Sequence, residues 1–137
     1  MKGVIKMKRL KERKGFTLAE LLIVVAIVAV LVGISVPVFT SKLEKSRESV
    51  DVANMRAAKA VAVATYLEDG AAISTNYYDA VNGILVTTKP AAYGKGTTVE
   101  GGITEMGYDD GEAHTTEIIK VDVDVDGNVT LDWVSAS

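Results

Sequence analysis

Residues 16–39 read FTLAELLIVVAIVAVLVGISVPVF, and this stretch decides how the rest of the chain is organised. It carries one charged residue, Glu20, and no charge between residues 21 and 39. An α-helix over these 24 residues would be about 36 Å long, enough to cross the ~30 Å hydrocarbon core of a bilayer. A secretory signal peptide would have a shorter apolar region and a small-x-small cleavage site, which residues 36–40 do not offer. A plain signal anchor fits the length.

The charge of the chain changes sign across this segment. Residues 1–15 carry seven Lys/Arg and one acid, a net charge of +6, whereas residues 16–137 carry eight bases and seventeen acids, a net charge of −9. The positive-inside bias therefore places residues 1–15 in the cytoplasm and the carboxyl end outside. Because an apolar rather than an aromatic and basic stretch follows the basic tail, no direct nucleic-acid site is evident.

Composition also excludes several kinds of catalytic centre. The 137 residues include no cysteine and a single histidine, His114. This rules out a disulfide framework, a cysteine-ligated zinc site and a cysteine nucleophile, and it argues against a serine triad. We expect His114 to be a buried or otherwise satisfied imidazole. No carboxylate is paired with a base in a recognisable motif, so the sequence predicts a protein that is not an enzyme.

Glu20 is unusual for a plain anchor, which needs only apolar residues. An ionised carboxylate costs about 2.5–3.5 kcal/mol at the centre of a membrane and less near its edge. The apolar segment contains no Lys or Arg. Lys14 and Arg13, one to two helical turns upstream, are the nearest bases, and pairing with one of them is the local explanation.

The stretch from Lys14 to Val28, KGFTLAELLIVVAIV, resembles the signature of type IV prepilins. Its features are a basic leader that ends in glycine, then Phe-Thr-Leu-x-Glu, then an unbroken apolar run. Pro37 matches a proline common in that family, and the resemblance covers roughly residues 8–68. It implies that prepilin peptidase cuts after Gly15 and methylates the new amino group of Phe16. It also implies that Glu20 pairs with the Phe16 amine of a neighbouring subunit during assembly.

The resemblance implies a structural subunit of a type IV pilus-like extracellular filament. The precursor would be stored in the cytoplasmic membrane as a single-pass protein with its amino terminus inside. Its partners would be copies of itself in a helical filament, prepilin peptidase, the inner-membrane assembly machinery and membrane lipid. A pseudopilin of a secretion or DNA-uptake system is the alternative, and the absence of cysteine, which departs from many pilins of diderm bacteria, keeps it open. A signal-anchored extracytoplasmic binding domain, which would keep residues 1–15, is the alternative of another class.

The predicted fold is α+β: one long helix from about Phe16 to Glu68, packed against a small antiparallel sheet. Gly33 and Pro37 are the positions where a kink is expected, because proline removes a backbone hydrogen bond. Lys45, Glu48, Arg56 and Lys59 are predicted to lie on the solvent face of the rear half. The apolar stripe predicted to pack against the sheet consists of Leu43, Val50, Ala53, Ala57, Val61, Ala64 and Leu67.

The region after the helix is predicted to form the sheet. We expect an irregular loop over residues 70–82, a strand over 83–88, and at most one short strand near 98–104. Two alternating runs, 119–125 and 129–133, predict a β-hairpin with Val121, Val123 and Val125 on its buried face. The predicted organisation is a cleaved leader (1–15), a membrane and assembly half-helix (16–39), an amphipathic half-helix (40–69) and a β-rich head (70–137).

Asp122, Asp124, Asp126 and Gly127 form Asp-x-Asp-x-Asp-Gly, the opening half of an EF-hand loop. The complete loop needs a bidentate glutamate at its twelfth position, which here is Trp133. We therefore expect the three aspartates to point together into solvent, with no cofactor bound. The alternative is a calcium site of another kind, in which Asp109, Asp110 and Glu112 would join them.

Overall fold

The computed structural model describes residues 15–99, 102, 104–108 and 111–137. Contacts divide this part of the chain into two compact units, with the boundary between Val38 and Phe39. The elements are α1 (Leu18–Asp69), β1 (Ile73–Asp79), β2 (Ile84–Val86), β3 (Glu117–Val123) and β4 (Val129–Ser135).

The long helix is confirmed. It runs for 52 residues without interruption and includes Pro37. By length and composition, it is long and apolar enough to cross a membrane. Proline at 37 cannot donate to the carbonyl four residues back, which is that of Gly33. Gly33 and Pro37, the two positions where a kink is expected, are thus the acceptor and donor positions of one missing backbone hydrogen bond. The kink itself stays a prediction.

The four strands form one antiparallel sheet in the order β2-β1-β3-β4. The predicted hairpin is confirmed as β3 and β4, with Ile119 opposite Trp133 and Val121 opposite Leu131. The strand predicted over 83–88 is present but shorter. The described residues near 98–104 belong to no strand, and residues 100, 101 and 103 lie outside the described part.

The irregular loop predicted over residues 70–82 is wrong, because β1 occupies Ile73–Asp79. Its buried residues, Ile73 and Tyr78, are five positions apart, whereas residues on one face of a regular strand are an even number apart. A β-bulge between Ile73 and Asn76 inserts one extra residue, and Thr75 there has a φ of 59°. The bulge shifts the alternation of buried and exposed side chains by one position. The sequence of β1 therefore lacks the regular period of two that predicts a strand.

The buried position predicted for Val125 is also wrong, since this side chain is 78% exposed. β3 ends at Val123, and residues 124–128 form the turn. Asp124 fixes that turn by accepting hydrogen bonds from the backbone N–H groups of Asp126 and Asn128, at 2.9 Å each.

Most of the apolar stripe predicted for the rear half of α1 does not pack against the sheet. Leu43 and Val50 are 40% and 47% exposed and Leu67 is 75% exposed, while Ala57 and Val61 pack at the margin of the core. The buried face is an adjacent one, and it includes Glu48, which was predicted to face solvent. Its members are Glu44, Glu48, Asp51, Val52, Met55, Ala58 and Ala62.

Three acids lie at the start of this buried face, and we call Glu44, Glu48 and Asp51 the buried acidic cluster. All three are fully buried. Buried carboxylates are tolerated only when hydrogen bonds replace their hydration. These acids make up nearly half of the buried face of α1, so a search of the sequence for a stripe of apolar residues does not find that face.

The loop after β2 supplies hydrogen bonds to two of these acids. Asp51 accepts the N–H groups of Lys95 (2.8 Å) and Gly96 (2.7 Å) and the hydroxyl of Tyr108 (2.8 Å). Glu44 accepts the N–H and the hydroxyl of Thr97, at 2.6 and 2.7 Å. Burial, and then the hydrogen bond to Asp51, raises the pKa of the Tyr108 phenol.

The glycines of this loop permit the close approach. A Cβ at Gly96 would collide with the Tyr108 hydroxyl, and one at Gly102 would collide with the Glu48 carboxylate. Glycine is therefore needed at both positions, because a side chain there would prevent the loop from packing against the acidic cluster.

Candidate processing and assembly site

The residues predicted for cleavage immediately precede α1. The Phe16 side chain is 79% exposed. A Cβ built at Gly15 would have no neighbour within 4 Å. The described fold therefore gives no local reason for glycine at this position, in contrast to Gly96 and Gly102.

Glu20 takes part in a capping box at the start of the helix. The N–H of Thr17 donates to Oε2 of Glu20 (3.0 Å), and the N–H of Glu20 donates to Oγ1 of Thr17 (3.3 Å). Thr-x-x-Glu is the sequence signature of this motif, and sequence reasoning missed it. The single chain thus provides a local partner for Glu20 that is neither Lys14 nor Arg13, both of which lie outside the described residues.

The capping box leaves room for a second role of Glu20. The observed bond uses one carboxylate oxygen, and a carboxylate has about four acceptor positions. The positive end of the helix dipole also favours an acid in the first turn. Capping within one chain and pairing with an amine of another chain are therefore compatible.

The front half of α1 is a continuous apolar surface. Every residue from 15 to 40 is exposed. An apolar helix that is exposed on all sides requires lipid or other helices around it. This surface is continuous with the position of Glu20 and includes both Gly33 and Pro37.

The three aspartates with EF-hand spacing do not form a row of carboxylates facing solvent together. Asp122 accepts the N–H of Thr75 (2.9 Å) and lies 2.9 Å from Lys120 Nζ, and these contacts lower its pKa, the bond from Thr75 most strongly. Asp124 closes the turn, and the side-chain amide of Asn128 contributes most to lowering its pKa. Asp126 is exposed.

Within the described ranges, no group of three or more His, Cys, Asp and Glu side chains could hold a metal ion. Asp109 and Asp110, suggested as further calcium ligands, lie outside those ranges. Glu112 is described, and it lines a cavity beside His114 rather than the turn of the aspartates.

Comparison with known proteins connects only the amino-terminal part of the chain to a family. No curated protein and no solved structure matches the chain significantly. Residues 10–36 match the family model described as the prokaryotic N-terminal methylation motif. The match includes Gly15, Phe16 and Glu20 and ends one residue before Pro37. Residues 10–36 therefore carry the prepilin-type signal found in type IV pilins and pseudopilins.

Proposed function

We propose that this chain is the precursor of a structural, non-catalytic subunit of a type IV pilus-like filament. The observation that carries the proposal is the methylation motif at residues 10–36, which coincides with the start of a 52-residue helix. The motif implies processing by prepilin peptidase and handling by a filament-assembly machinery in general.

Cleavage between Gly15 and Phe16 would change the electrostatics of the helix start. It removes the fifteen residues with a net charge of +6 and leaves a chain with a net side-chain charge of −9. The new amino group, methylated on Phe16, would begin two residues before Leu18, where α1 starts. The glycine before the cut has no side chain, so this bond can enter a narrow active site.

Assembly would use Glu20 and the exposed apolar surface together. The capping box holds the Glu20 carboxylate beside the first helical turn, so a neighbouring Phe16 amine that docks there meets a defined acceptor. A charge pair in apolar surroundings sets the axial register even when its net contribution to stability is small. Lipid covers the front half of α1 in the precursor, and helices of other subunits replace it in the filament.

The rear half of α1 offers a second surface for such helices. Leu43, Val50, Ala57 and Ala64 recur every seven residues, and Ala53 and Leu67 fall three positions after two of them. This is the a and d spacing of helix-to-helix packing. Leu43, Val50, Ala53, Ala64 and Leu67 are exposed, so they provide a contact surface for helices of other subunits, whereas Ala57 packs against the core.

Processing tests the proposal directly. Intact-mass measurement of membrane and filament material should show the loss of residues 1–15 and the gain of one methyl group. Gly15→Val should block processing and leave the precursor in the membrane, whereas Gly33→Val, which makes the same change inside the helix, should still be cut. Mature material that begins at Met1 would instead indicate a signal-anchored binding domain.

A pseudopilin of a secretion or DNA-uptake system is the second candidate. The absence of cysteine fits either a pilin of a monoderm source or a pseudopilin, since many pilins of diderm bacteria close a carboxyl-terminal loop with a disulfide. Both candidates predict the same processed amino terminus. Imaging of a tag in the β-rich head separates them, because only a pilus subunit gives long labelled filaments at the cell surface.

A further inference from the structure

The loop between β1 and β2 contains the dipeptide Asn82-Gly83. Asp79 and Ile84 are the last paired residues of the two strands, so residues 80–83 form the loop. Gly83 has a φ of 67°, a conformation that glycine adopts without the steric cost of a side chain. The turn therefore favours glycine at this position. Of the four asparagines in the chain, Asn82 is the only one followed by glycine.

Asparagine followed by glycine is prone to spontaneous deamidation. The backbone nitrogen of Gly83 attacks Cγ of Asn82, and the new bond replaces the bond from Cγ to Nδ2. Ammonia leaves with the proton of the Gly83 N–H, and a cyclic succinimide remains. Water then opens the succinimide to an aspartyl or an isoaspartyl residue. A side chain on the following residue hinders the attack, and glycine has none.

In the folded chain, both nitrogens that take part in this reaction are hydrogen-bonded to Asp79. The Gly83 N–H donates to the main-chain carbonyl of Asp79 at 2.8 Å. The side-chain Nδ2 of Asn82 donates to Oδ2 of Asp79 at 2.7 Å. Oδ1 of Asp79 accepts the N–H groups of Val81 at 2.9 Å and of Asn82 at 3.2 Å. The bond from the Asn82 side chain contributes most to lowering the pKa of Asp79, so this acceptor is ionised at neutral pH.

We propose that Asn82 is a deamidation site and that Asp79 protects it while the β1–β2 loop is closed. For the attack, the Gly83 nitrogen must lose its proton and direct its lone pair at Cγ of Asn82. The bond to the Asp79 carbonyl opposes this step, and the bond to Oδ2 holds the side-chain amide in place. The reaction therefore proceeds from the open loop, and its rate follows the population of that state.

Deamidation would weaken the loop permanently. It replaces an NH₂ donor by a carboxylate beside Oδ2 of Asp79, so a hydrogen bond becomes a repulsion between two like charges. Among the strands that the structure describes, β2 lies at the edge of the sheet and pairs with β1 through three residues. Because so short a pairing has few other bonds to hold it, the modification acts as a one-way switch that releases β2.

The test measures deamidation by peptide mass spectrometry of the full chain in dodecylphosphocholine at neutral pH. The folded wild type is compared with the same chain unfolded in guanidinium chloride, and neither sample requires filament assembly. We expect the reaction at Asn82 to be at least about fivefold slower in the folded chain, as expected when one hydrogen bond to a charged group at an exposed site must open. In the unfolded chain, Asn82 should react faster than the asparagines that precede larger residues, which are Asn54, Asn76 and Asn128.

Asp79→Ala removes both carboxylate acceptors and should raise the rate at Asn82 in the folded chain at least about fivefold. Asp126→Ala is the matched control, because Asp126 is an exposed aspartate in the other hairpin turn, and it should leave this rate unchanged. The emission of Trp133 reports whether each variant is folded. If Asp79→Ala does not fold, Asp79→Asn takes its place, since its amide cannot accept from Asn82 Nδ2 without giving up the bonds to the loop N–H groups.

Hydrogen exchange measures the consequence of the modification. Asn82→Asp has the charge of the aspartyl product, so the amides of β2 should exchange faster than in the wild type, while exchange in β3 and β4 stays the same. Wild-type exchange in β2 of this variant would refute the release of the strand.

Three results would overturn the protection of Asn82 by Asp79. The first is an equal rate at Asn82 in the folded and the unfolded wild type. The second is a wild-type rate in folded Asp79→Ala, or in Asp79→Asn where that variant takes its place. The third is an unfolded chain in which Asn82 reacts no faster than the other asparagines.

Discussion

Replacing Asp51 by asparagine tests whether the buried acidic cluster holds the loop against the helix. Asp51 accepts the N–H groups of Lys95 and Gly96 with its two different oxygens. In Asp51→Asn one of these oxygens becomes an NH₂ group. Whichever way the amide turns, one backbone N–H loses its acceptor, while the hydroxyl of Tyr108 can rotate to adapt.

The expected magnitude follows from these bonds. A hydrogen bond to a charged group contributes about 1.5–3 kcal/mol, and an unpaired buried N–H costs about 1–3 kcal/mol. Because the two figures overlap, we expect Asp51→Asn to lower the free energy of unfolding by about 2–4 kcal/mol. For a unit the size of residues 39–137, this corresponds to a fall in Tm of about 10–25 °C.

The assay is urea unfolding of the full chain in detergent, followed by the emission of Trp133, whose ring centroid is 6.3 Å from that of Tyr108. Asp69→Asn is the matched control, because Asp69 is exposed at the end of α1. Its effect should stay within about 0.5 kcal/mol. A loss below about 1 kcal/mol for Asp51→Asn would refute the reasoning and show that the loop is held by other contacts.

Four further predictions concern other parts of the chain. Glu20→Gln keeps a residue that can complete the capping box and Glu20→Ala does not; both should be cleaved normally and assemble poorly, and wild-type assembly of the glutamine variant would rule out charge pairing between subunits. Burial raises the pKa of Tyr93 from 10.0 to about 12, so the folded state should lose stability as pH rises from about 10 to 12, and absorbance at 295 nm should show this late ionisation. Gly96→Ala should destabilise the head by about 1–3 kcal/mol through overpacking, whereas Gly33→Ala, where a Cβ meets nothing within 4 Å, should leave thermal unfolding of the head unchanged. Calcium should leave the melting temperature of both the wild type and Asp124→Asn unchanged, and a rise confined to the wild type would show a calcium site.

The parts of the fold that depend on long regular patterns could be predicted from the sequence. The helix was predicted to end at Glu68 and ends at Asp69, because an apolar run followed by an uninterrupted helical pattern leaves few alternatives. The β3–β4 hairpin was predicted because apolar and polar residues alternate on both sides of the Asp126-Gly127-Asn128 turn. In both elements, the secondary structure that the local sequence pattern favours is the one found in the folded chain.

The errors arose where a tertiary contact overrides the local pattern. The bulge at Thr75 interrupts the alternation of β1, so that strand was predicted as a loop. Glu48 looked like a surface residue, yet the Gly102 loop covers it. At the candidate site, the positions of Gly15, Phe16 and Glu20 were available from the motif, while the capping box could have been found from Thr17-x-x-Glu20. The cavity beside His114 could not, because residues from α1, the loop between β2 and β3, and the sheet meet there.

The buried acidic cluster also determines which charges the surroundings of the head unit encounter. By sequence, residues 40–69 contain five bases and five acids, so their side chains have no net charge. Residues 70–137 contain three bases and eleven acids and are strongly negative. Because Glu44, Glu48 and Asp51 are removed from solvent, the accessible surface of residues 40–69 carries five bases against two acids. The accessible helix surface of this unit is therefore net cationic, and Glu105 of the following loop pairs with one of its bases, Arg56. Such a surface attracts anionic groups around it, with a strength that falls as ionic strength rises.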